Sequence, residues 1–158
     1  MSEPNPEFMR AAIAESLDGM RCGDGGPFGA VIVKDGQIIA KGHNRVLTSH
    51  DPTSHAEVNA IRDACRQLGS FQLDGCELYT SCEPCPMCLG AIYWARLDRI
   101  YYGNTKADAA DAGFDDQFIY DELDVPMSDR QLPIQPLLRE EAQSAFQEWM
   151  AKPDKTIY

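Results

Sequence analysis

His55 and Glu57 stand two residues apart, and Pro84-Cys85-Pro86-Met87-Cys88 begins about thirty residues later in the chain. Cys85 and Cys88 are three apart, so on the first turn of a helix they share a face. Helix N-termini favour thiolate over thiol, and thiolate is the form that binds metal. Two parallel strands feeding two helices would bring both helix starts to one edge of a sheet, where His55 completes a three-ligand site. Three protein ligands leave one tetrahedral position open, which separates a catalytic zinc from a structural one. Glu57 is not needed as a ligand and is placed to carry protons between water and a substrate.

Each segment has a plainer reading by itself. Ser54-His55-Ala56-Glu57 has the form of a capping box, with Glu57 as its carboxylate. Cys85-Pro86-Met87-Cys88 resembles a redox dithiol. With Cys82 the spacing becomes Cys-x2-Cys-x2-Cys, as in iron–sulfur proteins, but no cysteine follows Cys88. A four-cysteine structural zinc site lacks its second pair. The two segments together favour the catalytic zinc, one ion per chain, held by His55, Cys85 and Cys88. Cys82 is then a neighbour of the site or simply buried, and Cys22, Cys65 and Cys76 are expected in the core.

Other features limit what such a site acts on. The 158 residues fit one domain, with 44% hydrophobic and 25% charged residues, as in ordinary soluble proteins. No apolar run reaches the roughly 18 residues of a membrane span. The segment Met1-Ser2-Glu3-Pro4-Asn5-Pro6-Glu7 lacks the basic and apolar regions of a signal peptide, which argues for the cytoplasm. A net charge of −11 repels phosphate backbones, so a small neutral or cationic substrate is expected and no nucleic acid.

Apolar residues from Phe8 to Leu17 form a helical stripe after Pro6. Phe28–Val33 and Gln37–Ala40 flank Asp35-Gly36 and predict a hairpin with a type I′ turn. A helix is expected from Ser54 to Gly69, a strand over Cys76–Tyr79, a helix from Pro86, a strand over Arg99–Tyr102, a short strand over Ile134–Leu138 and a helix over Glu140–Met150. This order predicts an α/β fold, a three-layer α/β/α sandwich with a mixed central sheet of about five strands.

The paired motifs His-x-Glu and Pro-Cys-x-x-Cys are the signature of zinc deaminases. Four stretches carry the likeness: Gly25 to Gly36, Asp51 to Val58, Leu78 to Arg96, and Ala112-Gly113-Phe114-Asp115-Asp116. On these residues the chain resembles the cytidine deaminase superfamily and, within it, the bacterial guanine deaminases. The Gly-Phe-Asp-Asp segment and the terminal Tyr158 carry the narrower likeness. The resemblance implies hydrolysis of guanine to xanthine and ammonia. It implies that Asn44 hydrogen-bonds the purine, that Phe28, Ala56 and Trp94 line its pocket, and that Asp116 is a second proton carrier, with Asp115 beside it. It also implies a homodimer in which the segment from about residue 130 to 158 crosses to the partner and Tyr158 helps close the neighbouring site. A tRNA adenosine deaminase or a deaminase of cytosine or ammeline shares the same zinc motifs.

Overall fold

The computed structural model describes residues 3–158. Chain contacts divide it into two compact units, Met1–Asp116 and Gln117–Tyr158. Among the described residues no helix is long and apolar enough to cross a membrane.

In the first unit Asn5 caps helix α1 (Pro6–Arg21), its side chain accepting from the Glu7 N–H, and Pro6 occupies the first turn where no donor is missed. Strand β1 (Gly29–Lys34) and strand β2 (Gln37–His43) follow. They are joined by Asp35 and Gly36, both at positive φ as a type I′ turn requires. A single-turn helix α2 (Val46–Ser49) interrupts the polar stretch before α3 (Ala56–Leu68), which ends on Gly69 in the left-handed conformation. Strand β3 (Cys76–Cys82), helix α4 (Pro86–Ala95), strand β4 (Arg99–Asn104) and helix α5 (Lys106–Asp111) complete the unit.

The sheet order is β2-β1-β3-β4. β1 is antiparallel to both neighbours, and β3 and β4 are parallel, so the sheet is mixed as expected. Central β1 is buried on both faces, which explains its unbroken run of small and β-branched residues. Val31 and Val33 pack with Tyr79, Ala12 and Phe8 under α1. Ala30, Ile32 and Leu78 face the other way, against Ala56, Ala60 and Ala64 of α3 and Ile92 and Ala95 of α4. Helices on both faces make the three layers. The backbones approach closely at Gly42, where a Cβ would stand 2.5 Å from the Ala56 carbonyl oxygen and 2.7 Å from the Ala60 nitrogen. That glycine seats the start of α3 directly on β2.

The second unit holds α6 (Gln117–Asp124), a single 3-10 turn (Met127–Asp129) and α7 (Arg139–Ala151). The sheet has four strands, not about five, because the expected strand over Ile134–Leu138 does not form. Pro133 and Pro136 remove ladder donors on either side of Ile134, and Leu138 takes a positive φ at the cap of α7. Cys22 is exposed rather than in the core; Cys65 is half-buried and Cys76 buried.

Candidate active site

Strands β2 and β3 both run opposite to β1, so they point the same way with β1 between them. Their C-terminal ends, and the N-terminal end of β1, therefore meet at one edge of the sheet. Phe28 enters there just before β1, Asn44 leaves just after β2, and the Asn44 N–H extends the ladder by donating to the Phe28 carbonyl at 3.0 Å. The same edge receives the two helix starts.

His55 is the N-cap residue of α3 and Cys85 that of α4, and neither side chain caps its own helix. Both side chains leave the helix ends and converge. His55 Nδ1 lies 3.5 Å from Cys85 Sγ and 3.4 Å from Cys88 Sγ, and the three ligand atoms lie within 4.8 Å of one another. A tetrahedral zinc with ordinary Zn–N and Zn–S bonds separates nitrogen from sulfur by about 3.6 Å. The donor set and its spacing thus fit zinc. A hydrogen bond from the Cys88 thiol, with a further one from His55, holds Cys85 down at about 4. The same contact and burial push Cys88 far up, and the contact with Cys85 raises His55. A metal held by His55, Cys85 and Cys88 would take the place of the proton these groups share. Burial instead pushes Cys82 up to about 11, so it remains a thiol, with its Sγ 3.8 Å from the Thr105 carbonyl oxygen.

The helix start differs from the expected capping box. Because His55 is the cap, Glu57 is at the second helical position, and the Ser54 hydroxyl is engaged with the Asn59 side chain at 3.1 Å. Glu57 is buried, with 5% exposure, and its Oε1 lies 2.8 Å from the Thr80 hydroxyl. It also contacts Cys88. Glu57 thus does not serve as a helix cap.

Asn44 is buried, and its Oδ1 accepts from the Val46 N–H at 3.0 Å and the Gly26 N–H at 3.4 Å. Two backbone donors settle which end of the amide is oxygen and leave Nδ2 as the donor it offers a ligand. A Cβ on Gly25 would collide with that side chain. Phe28 packs edge-on to Phe114, ring centroids 4.9 Å apart, over Gly26. This contact anchors the segment that carries Asp115 and Asp116. Asp116 is half-buried whereas Asp115 is exposed. Burial, and the nearby Cys85 thiolate, raise Asp116 above the usual carboxylate range. Ala56 is fully buried, so it offers only its backbone N–H, an orphan donor of the helix start.

Trp94 is not brought against the cysteine pair. It lies about half a turn round α4 from Cys85, is 65% exposed and stacks with the Arg96 guanidinium at 5.7 Å. Tyr158 belongs to the second unit and is also exposed. Sequence reading assigned no role to Thr80 or Phe114: one looks like a strand residue, and the other sits in the Gly-Phe-Asp-Asp segment beside the aspartates that drew attention.

His43 sits between two carboxylates, Nδ1 3.1 Å from Glu15 and Nε2 2.7 Å from Asp24. Asp24, held at about 2 first by His43 and then by Thr48, also accepts the Leu47 and Thr48 N–H groups through its carbonyl oxygen. The network ties the loops on either side of Asn44 together. Cys22, Asp24 and His43 lie close enough to group around an ion, but both ring nitrogens of His43 are already engaged. A cleft of about 500 Å³ at the other end of the sheet, lined by Val33, Asp35, Glu77 and Asp98, contains none of the candidate residues.

The cytidine and deoxycytidylate deaminase zinc-binding region matches residues 2–104. The guanine deaminase of Bacillus subtilis is 56% identical over 151 residues, covering 96% of this chain and 97% of that protein. The crystal structure of guanine deaminase from Bacillus subtilis superposes with a TM-score of 0.95 at 54% identity, covering 99% of each chain. A tRNA-specific adenosine deaminase of Aquifex aeolicus is 44% identical over 95 residues, 60% of this chain and 62% of that protein. The similarity to that adenosine deaminase thus covers 60% of this chain, whereas the similarity to guanine deaminase covers 96% of it and so extends into the second unit. The chain belongs to the zinc-binding cytidine deaminase superfamily and, within it, to the guanine deaminases.

Proposed function

We propose that this protein hydrolyses guanine to xanthine and ammonia. The observation that carries the reading is the full-length likeness to guanine deaminase joined to a His55–Cys85–Cys88 triangle of zinc dimensions with a buried Glu57 beside it. His55, Cys85 and Cys88 would hold one zinc ion per chain. When bound, the ion lowers the pKa of water and so supplies a nucleophile at neutral pH.

The remaining work belongs to the chain. Glu57 takes a proton from water and passes it to a ring nitrogen of the purine, and Asp116 carries a second proton to the departing amine. Asp116, more buried than Asp115, is the better placed of the two for that role. Asn44 Nδ2 donates to a purine acceptor and the Ala56 N–H adds a second donor. Phe28, backed by Phe114, forms an apolar wall. The acidic surface and the reducing compartment implied by six free cysteines suit a small nucleobase in the cytoplasm. Ammonia release measured over guanine, cytosine, adenine, their nucleosides and ammeline tests the substrate. Guanine is expected to be turned over fastest; a clear preference for adenosine in RNA or for cytosine would overturn the reading.

The functional unit is a single deaminase domain completed by exchange of its C-terminal segment in a homodimer. Helix α7 leaves Phe146 74% and Met150 65% exposed, and Ile157 is 71% exposed. An apolar helix face of this kind needs cover. In the dimer Tyr158 closes the partner's site, and Trp94, on the exposed face of α4, adds to the purine-binding walls. Deleting Ile157 and Tyr158 is expected to cut guanine turnover at least about tenfold, the scale of a lost substrate-positioning contact, without changing the melting temperature. Undiminished turnover in that truncation would count against closure by the tail.

A further inference from the structure

We propose that Thr80 is a positioning residue for Glu57, fixing one carboxylate oxygen so that proton traffic runs through the other. The inference rests on the reading of Glu57 as the proton carrier. Thr80 lies on β3 with 1% exposure, on the same sheet face as Leu78, directly below the start of α3. Its hydroxyl has two oxygens within reach: Glu57 Oε1 at 2.8 Å and the Cys82 carbonyl at 3.0 Å. A hydroxyl carries one proton. The carboxylate is nearer and charged, so it takes the hydrogen bond, and a charge-assisted bond in a buried site is the stronger of the two. Oε1 is thereby committed, and Oε2 is left to accept and release the proton that moves between water and the purine.

The structure also explains why a strand, and not a loop, carries this contact. Register pairs Thr80 with Ala30 of β1, and Ala30 is fully buried. The hydroxyl is therefore held on an inner strand of the sheet, hydrogen-bonded to neighbours on both sides. Glu57, by contrast, hangs from the first turn of a helix, where backbone N–H groups lack intrahelical partners and ends fray. A fixed donor is what such a carboxylate needs to keep a single rotamer.

Thr80→Val keeps the side-chain shape and removes only the donor. With zinc-loaded wild type, Thr80→Val and Thr80→Ser assayed on guanine, kcat of the valine variant is expected to fall about 10- to 100-fold, as when outer-shell partners of a metal site are removed. Its KM should remain within about threefold, since the lost interaction is used in the proton-transfer step and not in binding. Serine should restore kcat to near the wild-type value, and zinc content should be equal in all three. A kcat in Thr80→Val within twofold of wild type overturns the inference, as does a loss that serine does not rescue, or one that tracks loss of zinc. If the valine variant does not fold, the comparison of Thr80→Ala with Thr80→Ser carries the same test. Wild type inactive on guanine but active on another heterocycle would overturn the substrate reading alone, and the same ratios are then read on that substrate.

Discussion

Glu57→Gln is expected to lower guanine turnover by at least about 10⁴-fold, the upper end of what one general acid–base group supplies, with zinc and fold retained. Glutamine keeps the shape of the side chain and an oxygen to accept from the Thr80 hydroxyl, so the buried contact at 2.8 Å survives. Glutamine has no titratable oxygen, so it can neither take a proton from water nor deliver one to the ring. Glu57 is asked to do both in each turnover, and for that reason the loss should approach completeness rather than stop at tenfold. The neutral amide also removes a charge beside Cys88, so zinc content should not fall. Ammonia release, metal analysis and thermal melting on one preparation decide the matter. Turnover near the wild-type rate would falsify the proton-carrier assignment, whatever the metal content.

The second large effect concerns the metal. Stripping zinc with a strong chelator should abolish turnover, and adding Zn²⁺ back should restore it, because the three ligands only become a site when the ion bridges them. Cys88→Ser should reproduce the loss by weakening one of the three bonds. Cys82→Ser, three residues before Cys85, should leave zinc and turnover close to wild type. Cys82 is a buried thiol pushed up to about 11 and contacts the Thr105 carbonyl, while Cys85 is held at about 4. Lowering the pH should ease removal of the metal, since protons compete for thiolate and imidazole ligands. Equal zinc loss in Cys82→Ser and Cys88→Ser would mean that the three cysteines act as one cluster.

Much of the fold was legible because local chemistry and burial agree. α1 begins at Pro6 with its asparagine cap, and the Asp35-Gly36 turn sets the β1–β2 hairpin. The mixed α/β/α arrangement followed from the order of apolar patterns. The expected fifth strand over Ile134–Leu138 does not form because Pro133 and Pro136 outweigh the apolar composition of that stretch. The helices α5 and α6 were not anticipated, since Ala107 to Gly113 reads as a small-residue connection and residues 117–124 lack a strong start signal. Ser54 looked like a cap, but the helix starts one residue later, because the Ser54 hydroxyl is taken by Asn59.

For the site, sequence spacing by itself singled out His55, Glu57, Cys85 and Cys88 as candidates, through ligand type and helical period, and these are local properties. The sequence also held the narrower likeness, in Gly113-Phe114-Asp115-Asp116 and Tyr158. What only the tertiary structure decided was how these pieces meet. β2 and β3 lie on opposite sides of β1 and point the same way, and that brings two helix starts thirty residues apart to 3.4–3.5 Å contact. It separates Asp116 from Asp115 by burial, orients the Asn44 amide through two backbone donors, and sets Thr80 against Glu57. None of these is written in a motif. Each depends on contacts between residues distant in the chain, and for Thr80 on strand register, a long-range outcome of which sheet faces are buried.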